Sequence, residues 1–231
     1  TATYRQLLAD LNTVKSQAGK DDLFVFFFSG HGCNPAPTGG SEPPEGDAYD
    51  EGIVLNTEVA TKNLYDDELG QLIKAIPCKK KIVILDSCNS GGFIGNDLET
   101  DSTPPEYEGQ QNGFGDVLSR AIHLYTNYKD RTYDIDPSDA LVISASGERE
   151  FSYEFPDSPD FPDYGIFTYY LLKTADRGDH NGDGYVTALE AFYYAKEQIE
   201  ENWNILFDGA DGQFSPHVSG GPVDFVLFEA D

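Results

Sequence analysis

Apolar positions change their period several times along the chain, and each change predicts an element. Tyr4, Leu7, Leu8, Leu11 and Val14 recur at the spacing of one face of a helix. Asp21-Asp22 then gives way to the unbroken run Leu23 to Phe28, closed by Ser29-Gly30-His31-Gly32. A continuous apolar run with turn residues behind it predicts a strand buried on both faces. The stretch from Cys33 to Gly52, rich in proline, glycine and acids, predicts an exposed loop. Ile53 to Leu55 predicts a short strand, and Leu69, Leu72, Ile73 and Ile76 a helix that Pro77 closes. A second buried strand is expected at Ile82 to Leu85, running into Asp86-Ser87-Cys88-Asn89-Ser90-Gly91-Gly92, and a third at Ala140 to Ser144. Further helices are expected over Phe114, Val117, Leu118, Ala121, Ile122 and Tyr125, over Phe167, Tyr170, Leu171 and Ala175, and from Leu189 to about Trp203. Val223 to Phe228 reads as a last strand, and the acidic stretch from Gly95 to Gly113 as a linker.

Strands alternating with helices predict an α/β fold, a three-layer α/β/α sandwich around a mainly parallel sheet. The 231 residues suit one domain, and 39% hydrophobic with 13% aromatic residues is enough for a substantial core. Charge narrows the partners. With 41 acidic against 15 basic side chains and a net charge of −26, nucleic acid and anionic membrane surfaces are disfavoured, and cations and basic substrates are favoured. The run Leu23 to Phe28 is far shorter than the roughly 18–20 residues that span a bilayer, so a soluble protein is expected. Three cysteines (Cys33, Cys78, Cys88) are too few for a disulfide framework.

In an open parallel sheet, chemistry collects at the carboxyl ends of strands. His31 and Cys88 both stand at such ends. A thiolate is a nucleophile, and an imidazole can take its proton or protonate a leaving amine near neutral pH. Gly32 leaves room for a backbone N–H to meet a developing oxyanion, and the Cys88 N–H is a candidate second donor. Asp86 lies two residues before Cys88, so strand alternation puts both on one face, where a carboxylate can pair with a guanidinium. The other reading of Asp86 is that it anchors its loop by accepting backbone hydrogen bonds.

These residues also carry a resemblance. Leu23 to Gly32 (LFVFFFSGHG) and Ile82 to Gly92 (IVILDSCNSGG) resemble the histidine and cysteine motifs of the caspase-like cysteine peptidases, in particular the metacaspase and orthocaspase branch. Asp50 to Ile53, Tyr65 to Leu69, Val142 to Ser146 and Gly165 to Leu171 follow in the family's order. The resemblance implies the caspase-hemoglobinase fold and a His31/Cys88 dyad with Gly32 and Cys88 backbone at the oxyanion. It places Asp86 and Ser29 on the floor of the pocket for the residue before the scissile bond, where the charge of the Asp86 carboxylate favours Arg or Lys. It also departs in two ways. Asn89 stands where the family usually has His, and members begin with a strand, a helix and a further strand ahead of the helix that opens here. Those pieces are expected to lie outside this sequence, which bears on whether it acts alone.

Asp179-His180-Asn181-Gly182-Asp183-Gly184-Tyr185-Val186-Thr187-Ala188-Leu189-Glu190 matches the EF-hand pattern D-x-N-x-D-G-x₅-E. Asp179, Asn181 and Asp183 offer side-chain oxygens, Tyr185 its carbonyl and Glu190 two oxygens, while Gly184 permits the turn. Calcium is the expected ion, in a structural role. By resemblance a second, activating calcium is conceivable at Asp66 and Asp67, helped by Asp47, Asp50 or Asp97; a solvated acidic surface explains these acids equally well. The leading function is therefore a calcium-binding cysteine endopeptidase acting after basic residues. The alternatives are a catalytically silent calcium-binding interaction module and a hydrolase of other acyl groups. An extracellular or periplasmic bacterial setting, where calcium is abundant, is the expected location. The segment from Ile94 to Asn112 holds no Lys or Arg, so self-cleavage after a basic residue is not expected there.

Overall fold

The computed structural model describes residues 2–33, 51–88, 140–147, 150–155, 165–207, 212–220 and 224–230. Helix α1 (Tyr4–Gln17) starts at Thr3, whose hydroxyl accepts the Gln6 N–H. It is followed by β1 (Leu23–Ser29), β2 (Gly32–Cys33), β3 (Gly52–Asn56), β4 (Thr61–Tyr65), α2 (Asp66–Lys74), β5 (Lys80–Asp86) and β6 (Leu141–Ser144). Then come α3 (Ile166–Arg177), β7 (Tyr185–Thr187), α4 (Ala188–Asn202), a short 3₁₀ turn, β8 (His217–Gly220) and β9 (Val226–Glu229).

The main sheet has the order β1-β5-β6-β8, with the first three strands parallel and β8 antiparallel to β6. Apolar residues of β1, β5 and β6 (Phe24, Phe26, Phe28, Val83, Leu85, Val142) pack on one face into a core with Leu11 of α1 and Leu69 and Ile73 of α2. On the other face Ile82, Ile84, Leu141 and Ile143 meet Phe167 and Leu171 of α3 and Leu189, Phe192 and Ile199 of α4. The expected three layers are present. Lys81 is buried under the end of α2, where its Nζ donates to the carbonyl of Ile73 at 3.0 Å, a cation set against the negative end of the helix.

Several expectations are corrected. The run in β1 is not buried on both faces: Phe24, Phe26 and Phe28 are buried, while Leu23, Val25 and Phe27 are 40%, 48% and 47% exposed. They share their face with Ile82 and Ile84 of β5, but β1 is the outermost of the described strands and the α3–α4 layer is built over β5 and β6. The exposed loop predicted from Cys33 to Gly52 has paired ends, because β2 joins Gly32 to Ile53 and Cys33 to Gly52 at the edge of a hairpin sheet β2-β3-β4. The last strand is shorter than predicted and leaves the main sheet, since β9 pairs with β7 while the unpredicted β8 takes the place beside β6. The helix expected over Phe114 to Tyr125, the linker from Gly95 to Gly113 and the segment from Ile94 to Asn112 lie outside the described residues.

Candidate active site

Ser29 and Asp86 form the last register pair between β1 and β5. His31 and Cys88 each lie two residues further along, so equal offsets past one rung carry both to the same end of the sheet. The Gly30 N–H donates to the Asp86 carbonyl at 3.1 Å, extending the ladder one step beyond the strands. The chain then turns into β2, and the His31 carbonyl accepts the Val54 N–H at 2.9 Å, which ties the histidine loop to the hairpin sheet. His31 is exposed and Cys88 half-buried, with its Sγ 3.7 Å from the Ser152 carbonyl oxygen.

Gly32 shows how closely the two loops approach. A Cβ there would run into the carbonyl oxygen of Cys88. That contact is with backbone, so a side chain cannot be accommodated by a rotamer change, and one of the loops must move. Gly32→Ala is therefore expected to lower kcat/KM by about 100-fold or more, the scale on which loss of one oxyanion donor or its position acts. Steady-state assay of the variant checks this, and an unchanged rate would show that the loop contact does not matter to the chemistry.

Asp86 is 3% exposed and sits where β5 meets the start of α3. That helix has Gly165 at its N-cap, a residue with no side chain to cap with. Asp86 supplies the cap from across the fold: its Oδ2 accepts the Thr168 N–H at 3.0 Å and the Thr168 hydroxyl at 2.5 Å. The carboxylate lies so close to Gly165 that a Cβ there would collide with it. Burial pushes the Asp86 carboxyl above the ordinary aspartate range; hydrogen bonds from Thr168 and the Ser152 side chain pull it back, and the nearby Glu154 charge raises it further. The anchoring reading of Asp86 is therefore seen directly, in its hydrogen bonds from Thr168. Ser29, its neighbour in register, is exposed.

Ser152 and Glu154 carry no signal in the sequence, and Gly165 and Thr168 enter it only within the stretch Gly165 to Leu171. The signal for Thr168 was a helix opening on glycine, which needs an acceptor from elsewhere. Segment 150–155 reaches the site because the Tyr153 carbonyl accepts the Ile166 N–H at 2.9 Å and Glu154 bridges to Gly165. Ser152 thereby touches both the Cys88 thiol and the Asp86 carboxylate. No disulfide joins the three cysteines to one another, and burial pushes the Cys78 thiol up. Asp66 is buried, as is Glu51, whose carbonyl accepts the Asp66 N–H at 3.1 Å. Of its proposed companions, Asp47, Asp50 and Asp97 lie outside the described residues.

The loop from Asp179 to Glu190 lies between α3 and α4, the helical context its pattern demands. Asp179 Oδ1 accepts the Gly182 N–H at 2.7 Å, Asp179 Oδ2 the Gly184 N–H at 2.9 Å, and Asn181 Oδ1 the Asp183 N–H at 2.8 Å. Gly184 has φ 87°, the left-handed turn that glycine permits. Asp183 Oδ1 accepts the Tyr185 N–H at 2.9 Å. Glu190 closes a capping box with Thr187 through Oε2, while its Oε1 is buried with no hydrogen-bond partner. A hard cation would satisfy that oxygen, so these residues fit calcium. Among the described residues no three His, Cys, Asp or Glu side chains converge as a metal cluster; the loop's oxygens include the Asn181 amide and the Tyr185 carbonyl, which are outside that set.

Comparison with known proteins gives these features a context. Residues 2–204 match the family described as Caspase domain. Metacaspase-7 of Arabidopsis thaliana is 32% identical over 124 residues, 52% of this chain and 29% of its own length. Metacaspase-4 of Arabidopsis thaliana is 35% identical over 171 residues, 61% of this chain and 38% of its own length. The chain therefore spans well under half the length of these relatives. Protein GSU0716 from Geobacter sulfurreducens shares the fold at a TM-score of 0.50 and 21% identity, over 96% of this chain and 75% of its own. With helices on both faces of a mixed sheet and a family match over most of its length, the chain has a caspase-like fold and belongs to the caspase domain family.

Proposed function

We propose that this domain is a cysteine endopeptidase that cuts peptides after Arg or Lys and carries a structural calcium ion. The observation that carries the reading is the contact of the two strand-end loops at Gly32, which brings the His31 segment against the backbone of Cys88. Cys88 Sγ, as thiolate, adds to the carbonyl carbon of the scissile bond. The Gly32 and Cys88 N–H groups are the donors for the oxygen that becomes negative. His31, carrying the thiol proton, gives it to the departing amine as the C–N bond breaks and a thioester forms. Water then adds to the thioester, losing its proton to His31, and the thiol is released with the acid product.

Specificity follows from charge. Asp86 lies on the Cys88 side of the sheet end with Glu154 close enough to disturb its ionisation, so a basic side chain entering here meets two acids. An acidic side chain would be repelled in a poorly solvated place. Calcium, held by Asp179, Asn181, Asp183, the Tyr185 carbonyl and Glu190, would brace α3 against α4, and α3 is the helix that Asp86 caps. A second calcium at Asp66 and Asp67 and an extracytoplasmic location belong to the same reading.

Matched peptides differing only in Arg, Lys, Asn or Asp before the scissile bond test the proposal, assayed with and without calcium. Rates for Arg and Lys at least about 100-fold above Asp are expected, since burying an unpaired like charge costs several kcal/mol. Equal rates would remove the specificity, and no turnover of any peptide by the folded, calcium-loaded chain would point to the catalytically silent module instead.

A further inference from the structure

At the carboxyl end of β5, successive carbonyls are shared out between the strands on either side. The Leu85 carbonyl accepts the Ala145 N–H on the β6 side at 2.8 Å, and the Asp86 carbonyl accepts the Gly30 N–H on the β1 side at 3.1 Å. Successive peptide groups of an extended strand face opposite neighbours, so the next carbonyl, that of Ser87, turns back toward β6. There a side chain takes it: the Ser146 hydroxyl donates to the Ser87 carbonyl at 3.1 Å.

Ser146 is 0% exposed, as is Ser144, whose hydroxyl donates to the Ser146 carbonyl at 3.2 Å. A buried hydroxyl costs free energy unless it is hydrogen-bonded, and Ala145 between the two shows that an apolar side chain suits this depth as well. Both hydroxyls are used on backbone carbonyls at the end of the sheet. That of Ser144 steadies the segment carrying Ser146, and that of Ser146 reaches the residue immediately before Cys88.

The Ser87 carbonyl and the Cys88 N–H belong to one planar trans peptide group, so they point in opposite directions. Holding the carbonyl toward β6 turns the Cys88 N–H toward β1, the strand that Gly30-His31-Gly32 continues and the side on which Gly32 approaches Cys88. We propose that Ser146 is a positioning residue, whose hydroxyl fixes this peptide group and so aims the Cys88 N–H at the developing oxyanion. Being fully buried, it acts through Cys88 and not on substrate. The inference rests on the peptidase reading above and adds to it the means by which one donor is held in place before negative charge develops.

Ser146→Ala tests this, because it removes the hydroxyl and little else. Wild type and variant are compared with calcium present and well below the melting transition of both, by kcat and KM on an Arg peptide and by the rate at which iodoacetamide alkylates Cys88, followed by mass spectrometry. Hydrolysis develops an oxyanion, whereas alkylation displaces iodide from a saturated carbon and needs no donor. Ser146→Ala is expected to lower kcat by about 10- to 100-fold with KM nearly unchanged, part of the effect of losing a whole donor. Alkylation, which follows the thiolate, should stay within about twofold of wild type. An unchanged kcat would overturn the assignment. Equal losses of hydrolysis and alkylation would overturn it too, leaving Ser146 a packing residue of the loop. A wild-type chain that is alkylated at Cys88 but hydrolyses no peptide would overturn the peptidase reading itself, and this proposal with it.

Discussion

Cys88→Ala and His31→Ala are each expected to abolish peptide hydrolysis, with a fall in kcat of about 10⁴–10⁶ and no change of fold. Nucleophile and base act as one unit, so the double variant should lose little more than either single one. The fold should tolerate both changes because neither side chain belongs to the two cores: Cys88 is half-buried beyond the end of β5, and His31 is exposed. Surface and partly exposed substitutions of this kind usually shift stability by about 0.5 kcal/mol. Kinetics on an Arg peptide, with circular dichroism to follow the fold, makes the comparison. Substantial activity in Cys88→Ala would move the nucleophile elsewhere.

The second large effect is at Asp86, where specificity and stability can be separated. Asp86→Asn keeps an oxygen to accept the Thr168 N–H but removes the charge, so kcat/KM on Arg substrates should fall by about two to four powers of ten while the melting temperature changes little. Asp86→Ala removes the cap as well and should destabilise the domain by about 1–3 kcal/mol in addition. Cys88 should remain reactive to a small alkylating agent in both. Because burial raises the Asp86 carboxyl, the Arg activity of wild type should decline on acidification while the pH is still above the ordinary aspartate value of 3.8. Stability responds in the opposite sense. The native state holds this proton more tightly than the unfolded chain, so the contribution of Asp86 is full below 3.8 and is lost as pH rises through the raised value. Acid loss of Arg activity is therefore not unfolding driven by Asp86. A pH profile in which Asp86→Asn retains that acidic limb, or retains its Arg preference, would remove Asp86 from the pocket.

Strands built from apolar runs were legible in the sequence. The runs at Leu23 to Phe28, Ile82 to Leu85 and Ala140 to Ser144 became β1, β5 and β6 in one parallel sheet, and their carboxyl ends identified the His31 and Cys88 loops. The described helices followed from periodicity, α2 with its stop signal at Pro77. What escaped were short polar strands whose pairing is set by partners: β2 is Gly32–Cys33, β4 is Thr61–Tyr65, and β8 contains His217 and Ser219. Period alone also could not show that the outer face of β1 lies beyond the α3–α4 layer. Within the site, the chemistry-bearing residues were visible by type, whereas Thr168 at Asp86 and Asp224 at the start of α4 were not. Each joins residues far apart in sequence, and a local pattern carries no record of such a meeting.

The pairing of the sheet has a kinetic consequence. Leu23 must find Lys80, Ile82 must find Leu141, and Leu141 must find Gly220, so every rung of the central sheet closes a long loop before any burial rewards it. Within this chain the run Leu23 to Phe28 precedes its partner strand β5 and carries a row of phenylalanines. Such a segment is the part of a nascent chain most prone to pair wrongly with a neighbour's. The acids that flank it, Asp21 and Asp22, and the net charge of −26 oppose that encounter by keeping copies apart while β5 is still being made. The charge excess can thus serve the folding of the domain as well as the substrate it attracts.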